Sequence, residues 1–131
     1  MSRHPDVEII KFVLQVEGKE PEEIQVEGVD EFKVAIPEGS KYFMTIYFKA
    51  LKDLKDFKYN QVVKKAGIVL KERDIQIGDY TASSEVYSKE FEPDVTPSGF
   101  FTRGTFPARS TYYANGVVLY ASDWTLEIMK K

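Results

Sequence analysis

Apolar and polar residues alternate along most of this chain with a period of two, the signature of strands that bury one face. Residues 41–50 carry the pattern most clearly. Tyr42, Met44, Ile46, Phe48 and Ala50 fall on one side, and Lys41, Phe43, Thr45, Tyr47 and Lys49 on the other. Glu8, Ile10, Phe12, Leu14 and Val16 predict an earlier strand with one shared face, ended by Gly18 and Pro21. Short strands are expected around Ile24 and Val26 and over residues 32–36, the latter stopped by Pro37-Glu38-Gly39. Residues 59–66 and 68–80 read as the next pair with Gly67 as the bend, and residues 83–91 as another strand.

Two long strands close the chain. Phe100, Gly104, Phe106, Ala108, Ser110 and Tyr112 share a face in the first; Val118, Tyr120, Ser122, Trp124, Leu126 and Ile128 share one in the second. Asn115-Gly116 between them is a hairpin signal. Pro107 cannot donate to a ladder, so an edge position or a bulge is expected there. One segment breaks the period: Leu51, Leu54 and Phe57 recur every three residues, which predicts a short helical or 3₁₀ turn near 51–57. Many short strands with frequent turns point to an all-β, immunoglobulin-like antiparallel β-sandwich. Residues 7–131 are expected to form that domain, after a flexible N-terminus over 1–6.

Composition narrows the function. The 131 residues suit one domain, and 43% hydrophobic with 30% charged residues is globular usage. Aromatics reach 14%, which favours strands. A net charge of −3 with scattered lysines argues against nucleic acid as a partner. No apolar run reaches the length of a membrane span, so no stable membrane insertion is expected, and cysteine is absent, which accords with a cytoplasmic location. Nothing suggests an oligomer, and a monomer is expected.

Enzyme chemistry is not visible, and no cofactor or metal is expected. The sole histidine, His4, lies near the N-terminus, and no histidine or cysteine cluster offers metal ligands. Glu85 and Asp94 read as solvated loop acids rather than an acid–base pair. The inward faces mix very large side chains with very small ones: Trp124, Phe12, Phe106, Tyr42 and Tyr120 beside Ala50, Gly104, Ala108, Ser110 and Ser122. That mixture fits plain large-against-small packing. The alternative is a slot between the sheets, with Leu51, Leu54 and Phe57 as an apolar lid.

Pro97-x-Gly99-x-x-x-Arg103-Gly104-x-Phe106 resembles the Pro-x-Gly-x-x-x-Arg-Gly-x-Tyr stretch of the Rho GDP-dissociation inhibitor family. Trp124-x-Leu126-x-Ile128-x-Lys130 is similar to that family's closing strand. Pro37-Glu38-Gly39-x-x-Tyr42, Phe57-x-Tyr59-x-Gln61, Gly67 and Gly78-x-Tyr80 match in order. The resemblance runs from about Val7 to the C-terminus. The resemblance does not take in the family's long N-terminal regulatory arm.

The resemblance implies a non-enzymatic regulator. It would take the geranylgeranyl tail of a prenylated Rho-family small GTPase between its sheets and keep the GTPase soluble. The lining it implies is Phe12, Leu14, Val34, Tyr42, Met44, Leu54, Phe57, Phe101, Ala108, Trp124 and Leu126. Glu85, Glu90, Glu92 and Asp94 would meet the basic GTPase tail. A general prenyl-protein solubilising factor and a sealed-core interaction module are the alternative readings.

Overall fold

The computed structural model describes residues 3–26, 31–99 and 102–131. Its strands, in chain order, are β1 (Arg3–His4), β2 (Val7–Val16), β3 (Glu22–Gln25), β4 (Lys33–Pro37), β5 (Lys41–Ala50), β6 (Leu54–Lys65), β7 (Ile68–Tyr80), β8 (Tyr87–Glu90), β9 (Asp94–Val95), β10 (Gly104–Ala114) and β11 (Val117–Met129). Strand β5 matches the best-patterned segment of the sequence residue for residue. It pairs with β2 on one side and with β8 and β9 on the other. Strands β1 and β3 both pair with β2. The second sheet runs β4-β11-β10-β6-β7 and is antiparallel except for the β4–β11 pair. The inner faces of the two sheets bury one continuous core, the immunoglobulin-like sandwich that the alternation predicts.

Within the leading segment, Arg3 and His4 pair with Glu8 and Val7, and His4 Nδ1 accepts a hydrogen bond from the Asp6 amide at 3.1 Å. Strand β8 is shorter than expected, covering only Tyr87–Glu90 of residues 83–91. Both tight turns form as hairpins should. Asn115 and Gly116 have φ of 55° and 77°, and Ala66 and Gly67 have 52° and 79°. Pro107 lies in β10 opposite Thr125, just past Ala108, where the β10–β6 ladder ends. Its missing amide therefore costs the sheet no bond on the β6 side.

Bulges correct three expectations. In β2 the register shifts between Ile9 and Lys11, so Val7 and Ile9 face inward together with Phe12, Leu14 and Val16, whereas Glu8 and Ile10 do not. In β11, Tyr120 pairs Tyr112 but Val118 pairs Tyr113. Leu119 is the extra residue and is buried, while Val118 is exposed rather than on the shared inner face. The third bulge explains the period of three at 51–57, where the helical or 3₁₀ turn was expected. The structure has a bend at 51–52 and then strand β6. Leu54 pairs Tyr80 and Phe57 pairs Gly78, so β6 carries one extra residue there. Asp56 takes φ of 57°, and its amide donates to Asp79 Oδ1 at 2.7 Å. An inserted residue lets two side chains three apart reach the same face, as a helical turn would.

Leu54 and Phe57 are therefore core, 1% and 0% exposed, and not a lid; Leu51, the third member, is exposed. Phe57 meets Phe48 edge-on at 5.1 Å, and Phe48 meets Tyr80 at 4.9 Å. The Asn115 turn clamps this end. Its amide donates to Lys55 O at 2.8 Å, and its Oδ1 accepts from the Lys55 amide at 3.0 Å.

Phe57→Ala should lower unfolding stability by about 3–5 kcal/mol, because it empties a packed aromatic site. Urea denaturation measures this. A loss below about 1 kcal/mol would mean that the segment yields as a lid would.

Candidate functional site

Trp124 organises the seam between the sheets. The register sets it opposite Ala108, and Ala108 opposite Val63. The small side chains of Ala108 and Ser110 leave room for the indole to lie across β10. Its Nε1–H donates to Ser110 Oγ at 2.8 Å, and Ser110 Oγ lies 2.8 Å from Tyr59 OH. All three groups are buried, so each bond replaces one that water would otherwise make. Phe32 stacks on the indole with centroids 5.6 Å apart and planes within 5°. Burial pushes the Tyr59 hydroxyl up to about 12, against the opposing effects of the Ser110 bond and the Arg73 charge. Burial likewise raises Tyr42, Tyr112 and Tyr120, so these hydroxyls stay protonated. Tyr120 OH is buried without a hydrogen-bond partner among the described residues.

Two small cavities flank the indole. One, of about 10 Å³, is lined by Val34, Ile36, Tyr42, Met44, Gln61, Arg73, Phe91, Trp124 and Leu126. The other, also about 10 Å³, is lined by Phe12, Ile24, Phe32, Val34, Met44, Tyr59 and Trp124. Val34, Met44 and Trp124 belong to both, so they form the wall between them. Of the residues expected to line a slot, Phe12, Val34, Tyr42, Met44, Trp124 and Leu126 are gathered here. Leu14 is buried elsewhere in the core, and Ala108 borders a groove with Val62, Lys64, Pro107, Arg109 and Asp123. Leu54 and Phe57 line neither cavity, and Phe100 and Phe101 lie outside the described residues.

Charged groups close the first cavity at the sandwich edge. Lys71 of β7 bonds Asp94 of β9, Arg73 Nη1 lies 3.8 Å from the same carboxylate, and Tyr42 OH donates to it at 3.4 Å. Arg73 also donates to Glu92 O at 3.0 Å. Partial burial pushes the Asp94 carboxyl up. The Lys71 bond, the Val95 amide and the charges of Lys71 and Arg73 together outweigh that and hold it below the usual carboxylate range. Of the acids expected to meet a basic tail, Asp94 is thus already engaged by cations of its own chain. Glu85, Glu90 and Glu92 are exposed.

The proline-glycine motifs meet at one end of the fold, and no sequence pattern linked them. Glu38 binds the Arg103 guanidinium and accepts from the Gly99 amide at 3.2 Å. Thr96 Oγ1 donates to Pro37 O at 2.6 Å, and the Ser40 amide donates back to Thr96 Oγ1 at 2.9 Å. Gly39 sits at φ of 58°, and a β-carbon there would lie 3.3 Å from the Ser98 β-carbon. These residues latch the β4–β5 turn to the loop before β10. The Arg103 bond, then the Gly99 bond, holds Glu38 below the usual carboxylate range. No group of His, Cys, Asp or Glu that could hold a metal occurs among the described residues.

Two outcomes follow from this geometry. Ser110→Ala strands both the indole N–H and the Tyr59 hydroxyl, so urea unfolding should register a loss on the order of 1–3 kcal/mol; no loss would mean that the bonds contribute nothing. Glu38 and Asp94 are both depressed in the folded state. Their stabilisation is complete above the ordinary carboxylate pKa of about 4 and disappears as pH falls through the lower folded values. Melting followed by circular dichroism should therefore drop on acidification, and Glu38→Gln should make that drop shallower. An unchanged slope would uncouple Glu38 from acid stability.

Known proteins resemble this chain in sequence, and a solved structure resembles it in fold. The chain is 27% identical over 132 residues to the Rho GDP-dissociation inhibitor of Schizosaccharomyces pombe, covering 95% of this chain and 64% of that protein. It is 33% identical over 101 residues to the Rho GDP-dissociation inhibitor of Saccharomyces cerevisiae, covering 73% of this chain and 50% of that one. Rho GDP-dissociation inhibitor 1 of Arabidopsis thaliana is 28% identical over 98 residues, covering 73% and 41%. The chain thus spans 64% or less of the length of these relatives. In fold it is similar to the crystal structure of the C-terminal domain of wzt, at a TM-score of 0.56 and 10% identity, covering 100% of this chain and 77% of that one. The family profile described as RHO protein GDP dissociation inhibitor matches residues 1–131, and the chain belongs to that family.

Proposed function

We propose that this domain holds the isoprenoid tail of a prenylated Rho-family GTPase in the seam at Trp124 and keeps that GTPase soluble. The observation that carries the reading is the apolar wall of Val34, Met44 and Trp124 shared by the two cavities. Ligand pockets usually measure roughly 300–1,000 Å³, so a tail must open the seam. Met44 is the side chain suited to yield. It is unbranched, adaptable and only partly buried. Moving it joins the two cavities into one channel along the indole. Phe32, stacked on Trp124 and partly buried, can slide as a unit over the same wall.

The energetics allow this. A tail of roughly twenty carbons at about 0.8 kcal/mol per carbon offers a gross gain on the order of ten kcal/mol or more. Separating packed side chains costs several kcal/mol of that, since each lost contact resembles a core cavity. The remainder can compete with a bilayer for a singly lipidated protein, because one chain anchors only reversibly. Glu85, Glu90 and Glu92 would meet the basic segment beside the lipidated end, and a cytoplasmic, monomeric carrier fits the role. Among the described residues no helix is long and apolar enough to cross a membrane. The small size of both cavities favours the sealed-core interaction module as the second reading.

Farnesylated or geranylgeranylated peptide should change Trp124 emission, and the unprenylated peptide should not. Met44→Trp, which fills the shared wall, should weaken prenyl binding about tenfold or more, equivalent to about 1.4 kcal/mol. Equal responses to both peptides would leave the sealed-core module as the better account.

A further inference from the structure

The turn between β6 and β7 is an apolar tip on an otherwise charged hairpin. Ile68 is 72% exposed, Val69 51% and Leu70 49%, three consecutive large apolar residues in water. Ala66, with φ of 52°, occupies a left-handed position where asparagine or glycine sits at less cost. The other long hairpin uses Asn115 at the equivalent place, with φ of 55°. The choice of alanine removes a polar group from the tip and extends the apolar run back to residue 66. Lys64 and Lys65 flank it on β6, both exposed, with Lys65 Nζ 5.8 Å from the Phe106 ring centroid. Lys71 follows on β7.

We infer that this hairpin tip docks on the surface of an anionic lipid bilayer, with Ala66, Ile68, Val69 and Leu70 among the headgroups and Lys64 and Lys65 facing lipid phosphates and carboxylates. Ile68 and Val69 pair Lys65 and Lys64 in turn and so project to opposite faces, and Leu70 is the extra residue of a bulge between Val69 and Lys71. A flat protein partner covers one face of such a finger, whereas a bilayer interface surrounds the tip and takes all three. The lysines match the negative surface of an anionic leaflet and would repel a second copy of the same tip. The chain as a whole carries −3, so an anionic surface repels most of it and selects the orientation that puts the hairpin down. The contact is peripheral, because the tip is a turn and a few residues deep.

The position adds a second argument. Lys71 and Arg73, on the same strand just beyond the tip, close the edge of the Met44–Trp124 seam through Asp94. A hairpin resting on a bilayer brings that edge toward the lipid surface. Docking itself requires no prenyl group.

Flotation with vesicles, without any prenylated cargo, tests the inference apart from the seam. The protein should bind phosphatidylcholine vesicles containing phosphatidylserine more than phosphatidylcholine alone, and added salt should weaken the binding. Lys64→Gln should lower partitioning about fivefold, the effect of removing about 1 kcal/mol per cation at such a surface. The pair Ile68→Ser and Leu70→Ser should abolish it while leaving the melting temperature unchanged, because both side chains are exposed. Binding that these variants do not alter would overturn the inference, as would no preference for phosphatidylserine. Sedimentation showing a dimer that the serine pair dissolves would assign the patch to self-association instead.

Discussion

The hydrogen bond from the Trp124 indole to Ser110 Oγ determines the shape of the seam between the sheets. It holds the ring across β10, where its face becomes a wall for two cavities and a platform for Phe32. The bond exists because β11 and β10 keep register from Gly104 to Tyr112, setting Trp124 beside Ala108 and Ser110 beside Ser122. A larger residue at 108 would expel the indole, and an apolar one at 110 would leave its N–H buried without a partner. The small residues on the inner face are thus the seat of the largest one. Ser110 also ties Tyr59 into the same arrangement, so three strands agree on one indole orientation.

Packing then differs between the parts of the sandwich. The end built from Leu54, Phe57, Phe48 and Tyr80 is closed aromatic core, fastened by Asn115 and Asp79. The opposite end is latched by Glu38, Arg103 and Thr96. Between them, the seam has a flexible methionine at its centre and an ion-paired edge at Asp94. Rigid ends with an adaptable middle are what the proposed uptake of an apolar tail would require, since packed cores resist deformation while a thioether side chain repacks readily.

The strand pattern was largely legible. Strand β5, both tight hairpins, the position of Gly67 and the inward face of β10 followed from alternation and turn chemistry, which depend on residues close in sequence. The bulges did not. One inserted residue at Ile10, Asp56 or Leu119 reverses the facing of every residue beyond it, and the Leu54–Phe57 spacing imitates a helical turn. The proline-glycine motifs carried the family resemblance, yet their role as a latch depends on Glu38 and Arg103 meeting across 65 residues. The exposed Ile68–Leu70 tip was hidden as well, because an apolar run in a strand reads as core until its neighbours are known.

By itself, the sequence determined the fold class, the family and the large-and-small composition of the inner faces. Those properties are local or additive: alternation fixes which residues can be buried, and ordered motifs can be matched without coordinates. Only the tertiary structure decided whether the small residues leave space or receive a neighbour, which acids are already paired, and that Leu54 is core while Leu51 is exposed. Each of those outcomes depends on what lies across the seam or in the next strand. Side-chain volume and charge act on spatial neighbours, and a period of two along the chain specifies a face but not the residue that faces it.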